Sequence, residues 1–399
     1  MERAPKLLFV GTLPPHRGGT AIANATLLGG LAARGVGVRT LSPITAETLD
    51  ADDLADRRPG IDVSRYLVPA FAYWPATGEA GDYASREAEA IRAKVPELIA
   101  MERPDVVMAG HESFAWHVPE LARAAGLPCI VLVHSGATEP FFGTARGAAL
   151  LERLREADLT ITVADHLAEA MRRLGVSRVE SIPNPVDLDL FYPRPWPAAL
   201  AASLRLDRDD RILLHVSNFK PIKRPLDLVH ALAIAAREDP GLKLVMVGDG
   251  PLRGAVESAS SAAGLSERVR TTGWVDHDRL PDHLALADLV VMPSEAEGQA
   301  LAYLEAQACA RVLVASDIPG AREVVRDGET GLLFGAGDVQ GLARAIVDGV
   351  RDRARADAIG ARARSVVRRH ALDAVIEAYL ALFERVRRGV VRHGRVLTR

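Results

Sequence analysis

The sequence predicts an α/β protein with two doubly wound parallel sheets, and three observations lead to that prediction. Short apolar runs alternate with longer amphipathic stretches from one end of the chain to the other. The runs are nearly continuous in Val, Ile and Leu, which is typical of strands covered on both faces of a parallel sheet. A proline-rich segment divides the runs into two sets, so we expect one sheet before it and one after it.

The predicted strands fall in order along the chain. In the first half they are KLLFVG, VGVRTLS, DVVMAG, CIVLVH and LTITVA, and in the second half RILLHVS, LKLVMVG, DLVVMPS and VLVASD. Amphipathic stretches predict helices that include residues 87–101, 224–238, 341–349 and 374–386. The boundary is placed at Ile182–Asp187, because the prolines from there to Pro197 form a stiff, solvated connector.

The bulk composition excludes several classes of protein. The 399 residues suffice for two or three domains, and a net charge of -3 provides no general attraction to nucleic acid. No run approaches the roughly 18 apolar residues of a membrane span, and the first apolar run is too short for a signal peptide. Cys129 and Cys309 lie in apolar surroundings far apart in the sequence, so we expect free thiols and a cytoplasmic protein.

The segment that follows DLVVMP combines a helix start with two carboxylates. We expect a helix to begin around Gly298–Ala300, where free backbone N–H groups and the positive dipole end would suit a pyrophosphate. Glu297 would stand at the helix entrance, and Glu305 would lie two turns further along the same face. The pair could hold different hydroxyls of one elongated ligand. The alternative is that Glu297 caps the helix and Glu305 is a solvated charge.

A basic turn follows the strand RILLHVS. Lys220, Lys223 and Arg224 place positive charge at the predicted carboxyl edge of the second sheet, where it could stabilise a diphosphate. A solvated basic turn is the alternative interpretation.

Two glycine pairs permit close backbone approach. Gly248 and Gly250 follow LKLVMV, and a plain strand-to-helix turn explains them equally well. Gly18 and Gly19 precede a predicted helix without completing the dinucleotide fingerprint, so a flexible loop is the alternative there.

Two histidines and two acidic turns complete the candidates. His111 and His134 each follow a predicted strand, at the sheet edge where open α/β sheets bind ligands, and we favour His134. A structural role for His134 is the alternative. The segments 187–189 and 276–278 have the D-x-D form of some metal sites, but both fall in turns, and no His/Cys cluster is present. We therefore predict no metal.

Together these motifs resemble the retaining glycosyltransferases of the GT-B fold, specifically family 4. The glutamates, separated by seven residues, match that family's pair, and matching segments cover most of residues 211–335. In family order they are Gly273-Trp274-Val275, Ala287-Asp288-Leu289, Pro293-Ser294, Ile318-Pro319-Gly320, Glu323-Val324-Val325 and Asp327 to Leu333. The resemblance implies two Rossmann-like domains that face a central cleft. The first, residues 1–185 with a C-terminal crossover helix at 374–399, would bind the acceptor, and residues 186–373 would bind a nucleotide sugar.

The resemblance also implies roles for individual residues. Glu297 would contact the donor sugar and Glu305 the ribose hydroxyls, while Lys223 would grip the diphosphate. Asn218 stands where the family usually has an arginine, so Lys220 would supply the missing charge. Other donor-binding positions would be Gly18, Gly19, Gly248, Gly250, Val275, Gly298, Gln299, Ala300 and Leu301. Gly298-Gln299-Ala300 departs from the family's usual Gly-Phe-Gly, and His134 would line the reaction centre.

The implied reaction is transfer of a hexose or N-acetylhexosamine with retention, from a UDP-linked donor because UDP-sugars are frequent in the family. The donor is a co-substrate, and no cofactor is expected. The acceptor could be a small molecule, a lipid or a glycan. A UDP-sugar epimerase of the same fold and a non-catalytic nucleotide-sugar-binding protein remain as alternatives.

The arginine-rich segment 384–399 could contact anionic lipid, although we favour the interpretation that it is the end of the crossover helix.

Overall fold

The chain forms two compact units. The computed structural model describes residues 4–45, 60–68, 80–134 and 139–389. The first unit consists of Met1–Pro185 with Leu372–Arg399, and the second of Val186–Ala371. Val186 and Ala371 form a β-bridge, in which the Val186 amide donates to the His370 carbonyl at 2.8 Å. The two points at which the chain changes unit are therefore adjacent.

The first unit contains a parallel sheet with helices in the connections. Its strands are β1 (Lys6–Val10), β2 (Gly37–Thr45), β3 (Ile61–Val68), β4 (Val106–Ala109), β5 (Cys129–Val133), β6 (Leu159–Thr162) and β7 (Val179–Ser181). Its helices before the boundary are α1 (Gly19–Ala33), α2 (Ala80–Glu102), α3 (Val118–Ala124), α4 (Glu139–Phe142), α5 (Ala145–Glu156) and α6 (Asp165–Arg173). The strand order is β3-β2-β1-β4-β5-β6-β7, the doubly wound order that the alternating pattern predicts.

The second unit repeats the same topology. Its strands are β8 (Arg211–Val216), β9 (Leu242–Val247), β10 (Val269–Gly273), β11 (Leu289–Met292), β12 (Val312–Ser316) and β13 (Leu332–Phe334). Its helices are α7 (Ala198–Ser203), α8 (Pro225–Ala235), α9 (Arg253–Ala262), α10 (Leu280–Leu286), α11 (Leu301–Ala308), α12 (Pro319–Arg322), α13 (Val339–Arg351) and α14 (Arg353–Val367). The order is β10-β9-β8-β11-β12-β13, and every pair is parallel.

The last helix, α15 (Leu372–Arg387), belongs to the first unit and packs against α1. Gly30 of α1 leaves no room for a larger residue, since a Cβ there would lie 2.6 Å from the Ile376 side chain. Arg34 forms ion pairs with Asp373, at 2.7 Å, and with Glu377. The amphipathic pattern predicted this helix. Residues 390–399, which include most of the arginine-rich segment, lie outside the described residues.

Among the residues that the structure describes, the sequence failed to predict four strands, and these lie at the edges of the two sheets. β3 mixes buried, half-buried and exposed positions, β10 is half-buried except at Gly273, and β7 and β13 have three residues each. An edge strand has one neighbour and is less completely covered, so its sequence is not required to be continuously apolar. The nine interior strands of the described part of the chain were all predicted.

One further prediction is confirmed within the described residues. Cys129 and Cys309 are buried free thiols, one in each unit. None of the helices that the structure describes is long and apolar enough to cross a membrane.

Candidate active site

The second sheet changes winding direction between β8 and β11, which are neighbours in the sheet. In open α/β sheets, ligands bind at this switch point, outside the carboxyl ends of the two strands. The loop after β8 carries Lys220 and Lys223, and the loop after β11 carries Glu297. Strand order therefore brings together the two charged motifs that the sequence suggests.

Lys223 and Glu297 form an ion pair across this point. The Lys223 Nζ lies 2.6 Å and 2.7 Å from the two carboxylate oxygens of Glu297. Side-chain exposure is 20% for Lys223 and 8% for Glu297, so solvent screens the pair only weakly. The Glu295 amide also donates to the Ile222 carbonyl at 2.8 Å, which joins the two loops through their backbones. Loss of either charge would leave the other poorly solvated and unpaired.

A buried histidine fixes the loop after β8. His215 Nδ1 lies 2.8 Å from the Val291 carbonyl and Nε2 lies 2.8 Å from Ser217 Oγ, which in turn accepts from the Phe219 amide at 3.2 Å. Burial lowers the pKa of His215 to about 4, so the ring is neutral near pH 7 and serves hydrogen bonding rather than charge. The ring thereby ties this loop to β11.

Gly248 and Gly250 approach the protein's own backbone. A Cβ on Gly248 would lie 1.8 Å from the Ser217 carbonyl oxygen, and one on Gly250 would lie 1.9 Å from that of Asn218. The close backbone approach that these glycines permit is therefore an approach to the loop after β8. Since a side chain at either position would push that loop away, the glycines position Lys220 and Lys223.

Two other side chains in the loop are shielded from solvent. Burial, with Lys223 nearby, lowers the pKa of Lys220. The Asn218 Oδ1 is buried and accepts no hydrogen bond from the described part of the chain. Buried polar atoms are normally satisfied, so this oxygen is available to a donor group on a ligand.

The helix after β11 begins later than the sequence predicts. Its first residue is Leu301 and Ala300 is the N-cap, so Gly298 and Gln299 precede the helix, as does Glu297. Glycine is a poor helix former, and this loop is packed: a Cβ on Gly320 would lie 2.5 Å from the Glu297 carbonyl oxygen and 2.9 Å from that of Gly298. The prediction that Glu297 and Glu305 share one helix face is therefore wrong. Gly298 and Gln299 are nonetheless buried beside Glu297.

Glu305 lies within α11 and pairs with a histidine that sequence reasoning placed in a surface turn. His277 Nε2 lies 2.7 Å from Glu305 Oε1. The turn follows β10 and the half-buried Val275, whose side chain packs against the core of the unit. The sequence feature that could have identified His277 is its position between two aspartates, just after the expected donor-binding residue Val275.

The first unit has a matching switch point between β1 and β4. Gly18 is the N-cap of α1, and Gly19 begins the helix with open space where a Cβ would lie. Asn24 Nδ2 donates to the Thr12 carbonyl at 3.0 Å and to the Gly110 carbonyl at 3.2 Å. The loops after β1 and β4 are thus linked by one buried amide.

His134, His111 and Glu112 lie close together at the carboxyl ends of β4 and β5. The Glu112 carboxylate is fully buried, accepts from the His134 amide at 3.0 Å and lies 3.5 Å from His111 Nε2. The two imidazole rings are parallel, with centroids 6.3 Å apart. Burial, reinforced by His111, lowers the pKa of His134 to about 3, and its Nε2 has no hydrogen-bond partner within the described residues. Glu112 was not predicted, although it directly follows His111 at the sheet edge.

The acidic segments 187–189 and 276–278 lie in turns, as the sequence predicts. Asp187 Oδ1 accepts from the amides of Asp189, at 2.9 Å, and Leu190, at 3.2 Å, and Asp276 precedes a short 3-10 turn. Within the described residues, no group of three or more His, Cys, Asp or Glu side chains could hold a metal ion.

Comparison with known proteins decides the family. The family description "Glycosyltransferase Family 4" matches residues 17–190, and "Glycosyl transferases group 1" matches residues 199–366. The chain belongs to glycosyltransferase family 4. It is therefore a glycosyltransferase, and its two units with parallel sheets are those of the GT-B fold.

Several family members resemble the chain over most or half of its length. A GDP-mannose-dependent alpha-(1-6)-phosphatidylinositol monomannoside mannosyltransferase of Mycobacterium tuberculosis is 27% identical over 372 residues, which are 90% of this chain and 93% of the relative. A D-inositol 3-phosphate glycosyltransferase of Kineococcus radiotolerans is 36% identical over 227 residues, 52% of each chain. The solved structure of a sucrose-phosphate synthase from Thermosynechococcus elongatus has a TM-score of 0.82 at 24% identity, covering 96% of this chain and 100% of that one.

The packing of Gly248 gives a prediction about stability. Gly248→Ala should lower the melting temperature and destabilise the fold by about 2 kcal/mol or more, because the new Cβ would meet a backbone carbonyl. Gly254→Ala is the matched control, since its Cβ would meet nothing within 4 Å in helix α9. It should stabilise the fold by up to about 1 kcal/mol. Equal melting temperatures for the two variants, measured by circular dichroism, would show that the loop after β8 yields freely.

Proposed function

We propose that the chain is a retaining glycosyltransferase that moves a hexose or N-acetylhexosamine from a UDP-linked donor to an acceptor. The observation that carries the proposal is the Lys223–Glu297 pair at the switch point of the second sheet. Glu305 supplies a second carboxylate in the helix that follows the Glu297 loop. A nucleotide sugar has a diphosphate between two groups rich in hydroxyls, and this order of charges is complementary to it.

Departure of the diphosphate is the step that Lys223 would assist. Glycosyl transfer of this kind needs stabilisation of the leaving group more than a strong base, and fixed positive charge in a poorly screened site provides it. Lys220 would add a second ammonium, which a bound diphosphate would favour in its charged form against the effect of burial. The N–H groups in the first turn of α11, which begins at Leu301, would contribute the positive end of the helix dipole.

Glu297 would then serve the sugar. When a diphosphate takes part of the Lys223 charge, the carboxylate of Glu297 is less fully neutralised and can accept hydrogen bonds from sugar hydroxyls. Asn218, whose Oδ1 is without a partner in the described part of the chain, could accept from the donor as well. The packed backbone at Gly298 and Gln299 would hold Glu297 in place while this exchange occurs.

His134 would act on the sugar or the acceptor in its neutral form. A pKa of about 3 leaves the imidazole uncharged at pH 7, so it can donate or accept a hydrogen bond but adds no positive charge. Glu112 fixes the position of His134 by accepting from its backbone amide.

A donor screen tests the proposed reaction. UDP-, GDP- and ADP-linked hexoses and N-acetylhexosamines should be compared for release of nucleoside diphosphate and free sugar, with and without EDTA. We expect a UDP-sugar to be used best, and the GDP-sugars are included because the mycobacterial relative is named for GDP-mannose. Activity should persist in EDTA, because lysine charge takes the place of a metal. Complete loss in EDTA, restored by magnesium or manganese, would contradict this and make Asp276 and Asp278 candidate ligands.

The two glutamates should separate binding from transfer. Glu305→Gln should weaken binding of free UDP by about tenfold, because hydrogen bonds from ribose to a buried carboxylate are lost. Glu297→Gln should leave UDP affinity nearly unchanged and impair sugar transfer. Glu295→Gln is the control, since that side chain is exposed in the same loop. Calorimetry that gives Glu305→Gln the wild-type UDP affinity would overturn the assignment.

His134→Ala should lower kcat/KM by ~10² or more, the scale of a positioned catalytic side chain. UDP affinity and melting temperature should change little, since Glu112 accepts from the backbone amide of residue 134 and this bond survives the substitution. A loss of stability in proportion to activity would identify His134 as a structural residue. Normal transfer by His134→Ala, with impaired transfer by His111→Ala, would move the role to His111.

A further inference from the structure

The half-buried His277 and the buried Glu305 form a pair that the proposed reaction leaves unexplained. The His277 Nε2 lies 2.7 Å from Glu305 Oε1, and the Glu305 side chain is only 5% exposed. No lysine or arginine among the described residues forms an ion pair with Glu305, and its second oxygen, Oε2, accepts no hydrogen bond from them. His277 is thus the partner that makes burial of this carboxylate tolerable.

The imidazole of His277 is itself held in place. The Phe191 ring lies against it, with ring centroids 5.0 Å apart at 53°. Phe191 is 1% exposed, and its amide donates to the Asp187 carbonyl at 2.8 Å. The Arg279 amide also donates to the Asp276 carbonyl at 3.0 Å and closes the turn that carries His277. The histidine therefore has a rigid environment from which to orient a carboxylate.

Orientation matters because a glutamate side chain has several rotatable bonds. A carboxylate that is free to rotate loses conformational entropy when it binds a diol, and a carboxylate already held by one oxygen loses less. With Oε1 occupied by His277, Oε2 is the oxygen left for ligand hydroxyls. In this arrangement Glu305 would bind the ligand, and His277 would hold Glu305 without touching the ligand itself.

We propose that His277 is a positioning residue that holds Glu305 for recognition of the ribose hydroxyls of the nucleoside diphosphate. This inference rests on the proposed function, since it assigns ribose binding to Glu305. Ribose discrimination would then depend on His277 and Glu305 together.

Binding of UDP and of 2′,3′-dideoxyuridine diphosphate by the full chain tests the inference, measured by calorimetry without any acceptor, with GDP and its dideoxy counterpart in parallel. The wild type should prefer the ribose form of its nucleotide by about tenfold or more. His277→Leu fills the space beside Phe191 but cannot donate, so it should lose most of this preference with little change in dideoxynucleotide affinity. His277→Gln can donate from its amide nitrogen and should restore the preference to within about threefold of wild type.

His283→Leu is the matched control. His283 lies in the next helix, is buried, and has Nδ1 3.1 Å from the Arg279 carbonyl. This variant should lower the melting temperature and keep the ribose preference.

Three outcomes would overturn the inference. If His277→Leu keeps the preference, His277 stabilises only the turn. If His277→Leu loses affinity for both forms equally, it acts on the site as a whole and not on the ribose. If the wild type binds neither UDP nor GDP, or binds them without ribose preference, the result contradicts the proposed function as well as the inference. The first two outcomes contradict the inference alone, so failure of the inference can be distinguished from failure of the proposed function.

Discussion

The ion pair between Lys223 and Glu297, residues 74 positions apart in sequence, requires two loops to meet within hydrogen-bond distance. Both oxygens of the carboxylate lie within 2.7 Å of one nitrogen, so neither loop can shift without loss of a contact. The parallel register of β8 with β11, in which Leu213 pairs with Leu289 and Leu214 with Val290, brings the two loops to one sheet edge. The glycines at 248, 250 and 320 then remove the side-chain volume that would separate the packed backbones.

The electrostatics of the site follow from the same packing. Poor solvent screening makes the Lys223–Glu297 attraction strong, and it also makes unbalanced charge costly. The pair is internally neutral, whereas Lys220 nearby has a pKa lowered by burial and by Lys223. Negative charge placed here would stabilise the charged form of Lys220. A diphosphate is therefore suited to the site by charge as well as by topology, and His215, neutral through burial, ties the loops without disturbing that balance.

The sequence predicted the strands correctly where burial on both faces of the sheet requires apolar residues. Every interior strand among the described residues was predicted, since strands covered on both faces are rich in apolar residues, whereas β3, β7, β10 and β13 were missed because sheet edges are less completely covered. The start of α11 was placed too early for a different reason. The tight contact of Gly320 with the carbonyls of Glu297 and Gly298 is a tertiary contact, so the local sequence around the helix start does not predict it. The types of residue at the site could be predicted, but the backbone that presents them could not.

The same distinction separates the residues that sequence reasoning identified from those it missed. Lys223 and Glu297 lie in the loops that follow β8 and β11, so the strand order places both loops at the switch point. Glu112 and His277 act through partners 22 and 28 residues away, His134 and Glu305 respectively. Each meets its partner across neighbouring elements of one unit, and only the fold brings the pair together. A buried carboxylate beside a histidine has a physical cost unless it is satisfied. Glu112 accepts from the backbone amide of His134, and Glu305 is bonded to the ring of His277, so each buried carboxylate is satisfied by a group that no spacing in the sequence could have indicated.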